Sequence, residues 1–330
     1  MSKRITRQDV ALAAGVSGAT VSRVYNTPSL VDKATVERVR HAASALGFVP
    51  DKNAAALRRR SGGTLLFVEI EEPGYHWPSQ RAFQSLYGEI VRAVLHANQE
   101  SSFSLQLVAL PSVDAIPTLN RFGTFAGILG FDVDDQTSAD ALASLGRPVV
   151  CAHHGDHLTG VSTVTTDNRA GGAIQARYLA DRGKRAVVYV TELQEGLRSH
   201  QLRKEGFLSV LEPARILDGF AGYSEGIRAG RQMASLVRRG LVDAFACVND
   251  LTALGVIQGL AAEGLTVPQD VAVVGYDNLV LTGLLGPSLP TVEARLPVVY
   301  TRALEVLAGL ANGGSQEVHE SVEPVLVSPP

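Results

Sequence analysis

Cysteine is scarce in this 330-residue chain: Cys151 and Cys247 each sit inside an apolar run, far from one another. Without a paired spacing they exclude a disulfide framework and a thiolate metal motif, and are expected to be buried thiols. Long apolar runs are missing as well. No stretch of roughly 18 apolar residues occurs, and residues 1–7 carry charge with no apolar segment behind them. Neither a membrane span nor a secretory leader is expected, and the chain is read as cytoplasmic. Catalytic signatures are absent too. There is no Gly-x-Ser-x-Gly elbow, no Walker-type phosphate loop, no zinc-ligand spacing and no Gly-x-Gly-x-x-Gly after a strand. No enzyme, cofactor or metal is expected.

What is present is 45% hydrophobic and 19% charged, enough to bury large cores in two or three domains. Charge is divided unevenly. Residues 1–60 hold eleven Lys or Arg against four Asp or Glu, net +7, while the rest holds nineteen against twenty-nine, net −10. Because phosphate neutralisation supplies most non-specific affinity for DNA, a basic head on an acidic body places nucleic-acid contact in the head alone.

Residues 6–26 read as two short helices around a tight turn, the layout of a helix-turn-helix DNA reader. Thr6 with Asp9 suits a first cap, Gly15 ends that helix and Ser17 caps the second. Val10, Ala14, Val16, Val21 and Val24 form an apolar seam, which leaves Ser17, Gly18, Ala19, Ser22 and Arg23 outside, facing a major groove. The pattern alone also suits a plain three-helix bundle; the charge split argues for DNA. Asp32 or Lys33 begins a third helix, with Val36, Val39, Ala43 and Leu46 on one face and Gly47 as its stop. Residues 50–63 join an Ala-Leu core to a basic run and a Gly-Gly exit. They read either as a solvated tether or as a linker that turns helical on DNA.

From Thr64 onward, apolar runs alternate with amphipathic stretches, the pattern of a parallel α/β sheet covered on both faces. Strands are predicted at 64–70, 103–109, 126–131, 148–152, 185–190, 214–217, 243–247 and 271–275, enough for two lobes. Open α/β sheets bind ligands at the carboxyl ends of their strands. There the chain places residues 71–79, Asp132, His153 and His154, Thr191 and Glu192, Asn249 and Asp250, and Tyr276 and Asp277. The glycine pair in residues 167–172 reads as tight strand-to-helix packing before phosphate binding. His153 and His154 are expected to point apart on an extended chain, which argues against a shared metal. The cleft looks built to bind.

Taken together, these motifs resemble the lactose and galactose repressor (LacI/GalR) family of bacterial transcription regulators over nearly the whole chain. The head likeness rests on Asp9-Val10-Ala11, Ala14-Gly15-Val16-Ser17, Thr20-Val21-Ser22-Arg23-Val24-Tyr25-Asn26 and Leu46-Gly47-Phe48-Val49-Pro50. Downstream it rests on Thr166-Asp167-Asn168, Arg203 with Gly206-Phe207, Asn249-Asp250 with Ala253-Leu254-Gly255, and residues 267–277. The resemblance implies an N-terminal all-α helix-turn-helix head plus an α/β periplasmic-binding-protein-like core of two doubly wound lobes joined by three crossovers. The head spans about 1–49, a hinge helix or linker 50–63, and the effector-binding and dimerisation core 64–330. Its first lobe takes about 64–162 with 292–320, its second about 163–291 with 321–330.

It further implies roles for single residues. Thr6, Ser17, Gly18, Ala19, Thr20, Ser22, Arg23, Asn26 and Thr35 would face phosphates or bases, with Arg23 able to fork onto guanine. In the hinge, Asn53, Leu57 and Arg58 would join them, Leu57 as a minor-groove wedge. Trp77, Ser79, Asp132, Arg203, Asn249 and Asp277 would surround the effector; Trp77 suits a sugar face or simple packing equally. Two departures stand out. Gly18 and Ala19 are small where the family reads bases with larger side chains, and residues 69–77 lack the usual Asn-Pro-Phe-type loop, with Glu69, Glu71 and Glu72 leaving room for a cationic effector. The sequence thus reads as a homodimeric repressor on a two-fold operator, governed by a sugar-like effector or, alternatively, a nucleoside or purine. No heptad-patterned tail supports a tetramer. A sugar-binding transport protein is opposed by the basic head, and an enzyme on the same core by the missing catalytic set.

Overall fold

A computed structural model describes residues 6–26, 31–46, 48, 63–71, 84–192, 197–280, 282 and 289–328. The chain divides into two compact units, Met1–Ser61 and Gly62–Pro330.

Local capping chemistry sets the helices of the first unit. α1 (Arg7–Ala14) opens on a reciprocal box: Thr6 N donates to Asp9 Oδ2 at 2.7 Å, and the Thr6 side chain accepts from Asp9 N at 3.4 Å. It ends at Gly15, whose φ of +65° is left-handed and costs a side-chain-bearing residue strain. α2 (Gly18–Asn26) starts where Ser17 Oγ accepts from Thr20 N at 3.1 Å. α3 (Lys33–Ala45) is capped by Asp32, which accepts from Thr35 N at 2.8 Å. Val10, Ala14, Val21, Val24, Val39 and Ala43 bury the shared seam, with Val16, Val36 and Leu46 packed on it.

Among the described residues the second unit holds two six-stranded sheets. The first runs β11-β5-β4-β3-β1-β2: β1 (Thr64–Ile70), β2 (Ser104–Leu110), β3 (Gly127–Phe131), β4 (Val149–His153), β5 (Ser162–Thr166) and β11 (His319–Val322). The second runs β12-β10-β9-β8-β6-β7: β6 (Val187–Val190), β7 (Arg215–Leu217), β8 (Ala244–Cys247), β9 (Ala272–Tyr276), β10 (Thr291–Glu293) and β12 (Val325–Val327). Every pairing is parallel except β10 with β12. The covering helices are α4 (Gln84–Ala97), α5 (Gln136–Ala143), α6 (Asn168–Asp181), α7 (Arg198–Leu208), α8 (Tyr223–Arg238), α9 (Asp250–Ala262) and α10 (Leu296–Ala311).

The eight strands predicted from apolar runs are present to within about two residues. Four more are present that the sequence reading missed. β5 is Ser-Thr-Val-Thr-Thr, polar in composition yet wholly buried, and β10, β11 and β12 span only three or four residues. These strands carry the crossovers. The chain leaves the first sheet after Thr166, returns to it after Glu293 and leaves again after Val322, so the lobe limits expected near 162, 291 and 320 fall two to four residues short, at β5, β10 and β11.

Both faces of each sheet are buried, as parallel sheets require. On one face of the first sheet Phe67 meets Phe131 edge-on at 5.5 Å, and Phe131 stacks on Tyr300 of α10 at 5.0 Å. The opposite face packs Leu66, Ile128, Leu142 and Cys151. In the second sheet Val188, Phe245, Cys247 and Val273 face α8 and α9, and Tyr189, Phe207 and Val274 lie on the other side. Both cysteines are buried and free, as expected. Burial pushes Cys151 up to about 12, so it stays a thiol. No helix among the described residues is long and apolar enough to cross a membrane.

Candidate functional site

Two sites are built by these units, and the head is the simpler. Ser17 and Arg23 are exposed, and Gly18, Thr20 and Thr35 half-buried. Ser17 Oγ also pairs with Thr20 Oγ1 at 2.9 Å, so the two hydroxyls are held side by side at the start of α2. Arg38 Nη2 donates to Thr35 Oγ1 at 3.2 Å. Thr6 is exposed but engaged in its cap. Ala19, Ser22 and Asn26 lie within α2, their side chains outside the described residues. Asn53, Leu57 and Arg58 of the hinge fall outside the described residues altogether.

The second site lies at the carboxyl ends of the strands, where the sheets' polar termini meet. Arg203 of α7 is its centre and is only 2% exposed. Its Nε donates to Asn168 Oδ1 at 2.9 Å and its Nη1 to Val248 O at 2.9 Å, while the same Nη1 stands 3.3 Å from Asp277 Oδ1. The guanidinium lies 3.7 Å from the Tyr276 ring centroid. Burial raises Asp277 to about 6 even though the Arg203 charge pulls the other way. The glycine pair of α6 explains how Arg203 comes so close. A Cβ on Gly172 would stand 1.8 Å from Arg203 O, and one on Gly171 2.2 Å from Tyr276 Oη. The pair therefore serves close packing, as predicted, but against α7 and Tyr276 rather than phosphate.

Asn249 is placed differently from its expected role. Its Oδ1 accepts from Thr252 N at 2.9 Å and Thr252 Oγ1 at 2.7 Å as the cap of α9, which leaves its amide nitrogen to serve a ligand. The neighbouring Asp250, expected at a strand end but not among the effector contacts, is fully buried. Leu279 N donates to Asp250 Oδ2 at 2.8 Å and Thr291 Oγ1 to its Oδ1 at 2.6 Å, tying α9 to the loop after β9 and to β10. Burial, reinforced by the Asp277 charge, raises its carboxyl to about 8. A folded-state pKa above the unfolded 3.8 gives stability that is full below that value and is lost as pH rises through about 8. Asp250→Asn should therefore flatten the fall of the thermal midpoint between about pH 4 and pH 8. Equal slopes in variant and wild type would show that Asp250 ionises without penalty.

On the facing sheet, Asp132 and His153 adopt φ of +59° and +84° at strand ends, as Asp277 does at +106° on the second, an uncommon conformation away from glycine that concentrates at functional sites. This turn overturns the expectation that His153 and His154 point apart. The rings lie 3.8 Å from centroid to centroid, with His153 Nδ1 2.7 Å and His154 Nε2 2.9 Å from Asp132 Oδ1. Burial alone would raise Asp132, but the charges of both histidines and the hydrogen bond with His153 hold it well below the usual carboxylate range. Burial and the neighbouring His154 lower His153 to about 4. Burial is the largest single influence on His154 and lowers it, but the close Asp132 carboxylate and the Asp134 charge together raise it. Asp277 of the second lobe feels the same His154 charge, so the two rows of strand ends share one field.

His200, which sequence reasoning passed over, completes the cleft: its Nδ1 is 2.7 Å from Glu192 Oε1, and Leu197 N donates to the same oxygen at 2.5 Å. A hollow of about 280 Å³ opens there, lined by Thr191, Glu192, His200 and Lys204 among others. Glu69, considered for a cationic effector, accepts the Tyr87 hydroxyl at 3.1 Å instead. Glu72, Trp77 and Ser79 lie outside the described residues.

Comparison with known proteins is consistent with this division. Residues 6–51 match the family described as "Bacterial regulatory proteins, lacI family", and residues 176–328 a "Periplasmic binding protein-like domain". The chain is 30% identical over 342 residues to the HTH-type transcriptional regulator CelR of Thermobifida fusca, covering 98% of this chain and 95% of the relative. It is 26% identical over 333 residues to the HTH-type transcriptional repressor PurR of Histophilus somni strain 129Pt, covering 96% and 95%. A solved complex of the transcriptional regulator CelR with cellobiose superposes with a TM-score of 0.66 at 26% identity over 98% of each chain.

Proposed function

The chain belongs to the lacI family of bacterial regulatory proteins and is a DNA-binding transcriptional repressor, not an enzyme; from that premise we propose that a sugar or sugar derivative entering the interlobe cleft sets the affinity of the head for operator DNA. The observation that carries this reading is the convergence of Arg203, the Asn249 amide and Asp277 on one cleft. A guanidinium, an amide and a carboxylate together donate to and accept from ring hydroxyls. The CelR–cellobiose complex supports a sugar further. Among the described residues, the Tyr276 face beside Arg203 is already covered by its guanidinium, which favours a sugar over a stacked nucleoside base.

In the head, Arg23 with Ser17, Thr20, Ser22, Asn26, Thr6 and Thr35 reads and grips one operator half-site, and Asn53, Leu57 and Arg58 join them at the operator centre, Leu57 as a minor-groove wedge. Action on chromosomal DNA supports a cytoplasmic location. Leu95 and Leu107 are exposed on α4 and on the edge strand β2, and cover of these apolar groups suits a homodimer matching a two-fold operator.

Arg23→Ala should weaken the operator complex by about 1–3 kcal/mol, the value of a bidentate base contact, while binding to a random duplex hardly changes. Gel shifts of both duplexes over a salt series decide this. An equal loss on the two would make Arg23 a phosphate contact only. For the effector, a thermal-shift panel of sugars and nucleosides on the full chain is the direct test, since a ligand bound only by the native state raises its midpoint. A response to nucleosides alone would overturn the sugar reading.

A further inference from the structure

The Asp132, His153 and His154 cluster is more than a hydrogen-bonded corner. Their ligand atoms all lie within 4.8 Å of one another, and both histidines are buried, at 8% and 5% exposure. His154 is the anomalous member. Its Nε2 stands 2.9 Å from Asp132 Oδ1 but off the line of a hydrogen bond, and neither of its ring nitrogens makes one within the described structure. A buried imidazole is seldom left so.

We propose that Asp132 Oδ1, His153 Nδ1 and His154 Nε2 form a binding site for a divalent cation of borderline softness, Zn²⁺ or its analogues Co²⁺ and Ni²⁺, in the wall of the interlobe cleft. The donor set selects the ion: two imidazoles and one carboxylate suit these metals, whereas Mg²⁺ and Ca²⁺ favour all-oxygen shells. Spacing agrees. Donors at about 2.0–2.1 Å from a tetrahedral metal stand about 3.3 Å apart, so separations of 2.7 and 2.9 Å need open by only about half an ångström. The left-handed turns at Asp132 and His153, which bring donors from the ends of two adjacent strands together, are a backbone cost that a shared ligand would justify. The surrounding field agrees as well. Asp134 lies beside Asp132 and His154, and Arg203, which also acts on His154, is already paired with Asp277. Three protein donors leave positions open toward the cleft, where water or the hydroxyls of a polyol complete the shell.

The test uses the full chain without effector or DNA, so its outcome is independent of the sugar reading. Titration with Zn²⁺ alone in metal-free buffer, followed calorimetrically, should show one saturable ion per chain. Asp132→Asn and His154→Ala should each lower that affinity by about tenfold or more. If either variant fails to fold, the wild-type Co²⁺ spectrum decides independently: visible d–d bands of a low-coordinate nitrogen and oxygen site are expected, with no sulfur-to-cobalt charge-transfer band. Absence of saturable binding would overturn the proposal. So would affinity unchanged in two folded variants, which puts the ion on other histidines, or a thiolate band, which puts it on Cys151 or Cys247.

Discussion

Gly172→Ala should lower the thermal midpoint of the core by roughly 6–12 °C, the equivalent of about 3 kcal/mol in a domain of this size. The added Cβ would lie 1.8 Å from Arg203 O and 2.7 Å from Arg203 C, and both are backbone atoms with no rotamer to swing aside. Gly206 meets the same helix from the other side, its missing Cβ facing Arg169 O at 1.9 Å. Relief therefore requires α6 and α7 to separate along their contact, which loosens Phe207 and Ala176 from the second core. Gly88 provides the control. It sits exposed in α4, where an added methyl would meet nothing within 4 Å, so Gly88→Ala should be neutral or stabilise by about 0.5–1 kcal/mol through helix propensity. Differential scanning calorimetry of both variants checks the pair; equal midpoints would mean that the α6–α7 contact is slack.

How far such features were legible beforehand depends on the range over which their physics acts. Thr6 with Asp9, Gly15, Ser17 and Asp32 are signals read within three or four residues, and each cap is present. Buried parallel strands announce themselves as apolar runs, which is why β1, β3 and β8 stood out. β5 did not, because Ser162, Thr163, Thr165 and Thr166 are buried polar residues whose groups find partners inside the fold: Thr166 Oγ1 donates to Ala294 O, and Val318 N donates to Ser162 Oγ. Period-two reasoning misplaced His153 and His154, since it assumes an extended chain and cannot see a φ of +84°. Asn249 carried a readable signal that went unused, a polar cap followed three residues later by Thr252. The His200–Glu192 pair joins the start of a helix to a strand end and has no signature short of the fold itself.

Arg203→Ala and Asp277→Asn should both abolish the effector's influence on operator binding while leaving the effector-free affinity within about twofold of wild type. An effector coupling of about 1–3 kcal/mol, a 5- to 150-fold change in operator affinity, would collapse to near unity. The argument rests on where the two groups sit. Arg203 is nearly inaccessible and spends its donors on Asn168, Val248 O and Asp277, so it joins the start of α6, the end of β8 and the end of β9 in one network facing the cleft. A ligand that hydrogen-bonds to Arg203 and Asp277 therefore acts on three elements of the second lobe at once. The head folds around its own seam of Val10, Val21, Val24 and Val39 as a separate compact unit, so a change at Arg203 removes none of its stabilising contacts. The two variants differ in one instructive way. Removing the guanidinium leaves a buried carboxylate without its partner and should cost about 3–5 kcal/mol of stability, whereas Asp277→Asn keeps the shape, removes a charge and should cost far less. If response were lost only in Arg203→Ala, together with the midpoint, the effect would be one of folding. Loss in Asp277→Asn at a near-wild-type midpoint assigns it to the ligand contact, and gel shifts with and without the effector chosen by thermal shift measure it. Retained response in both variants would place the effector elsewhere in the cleft.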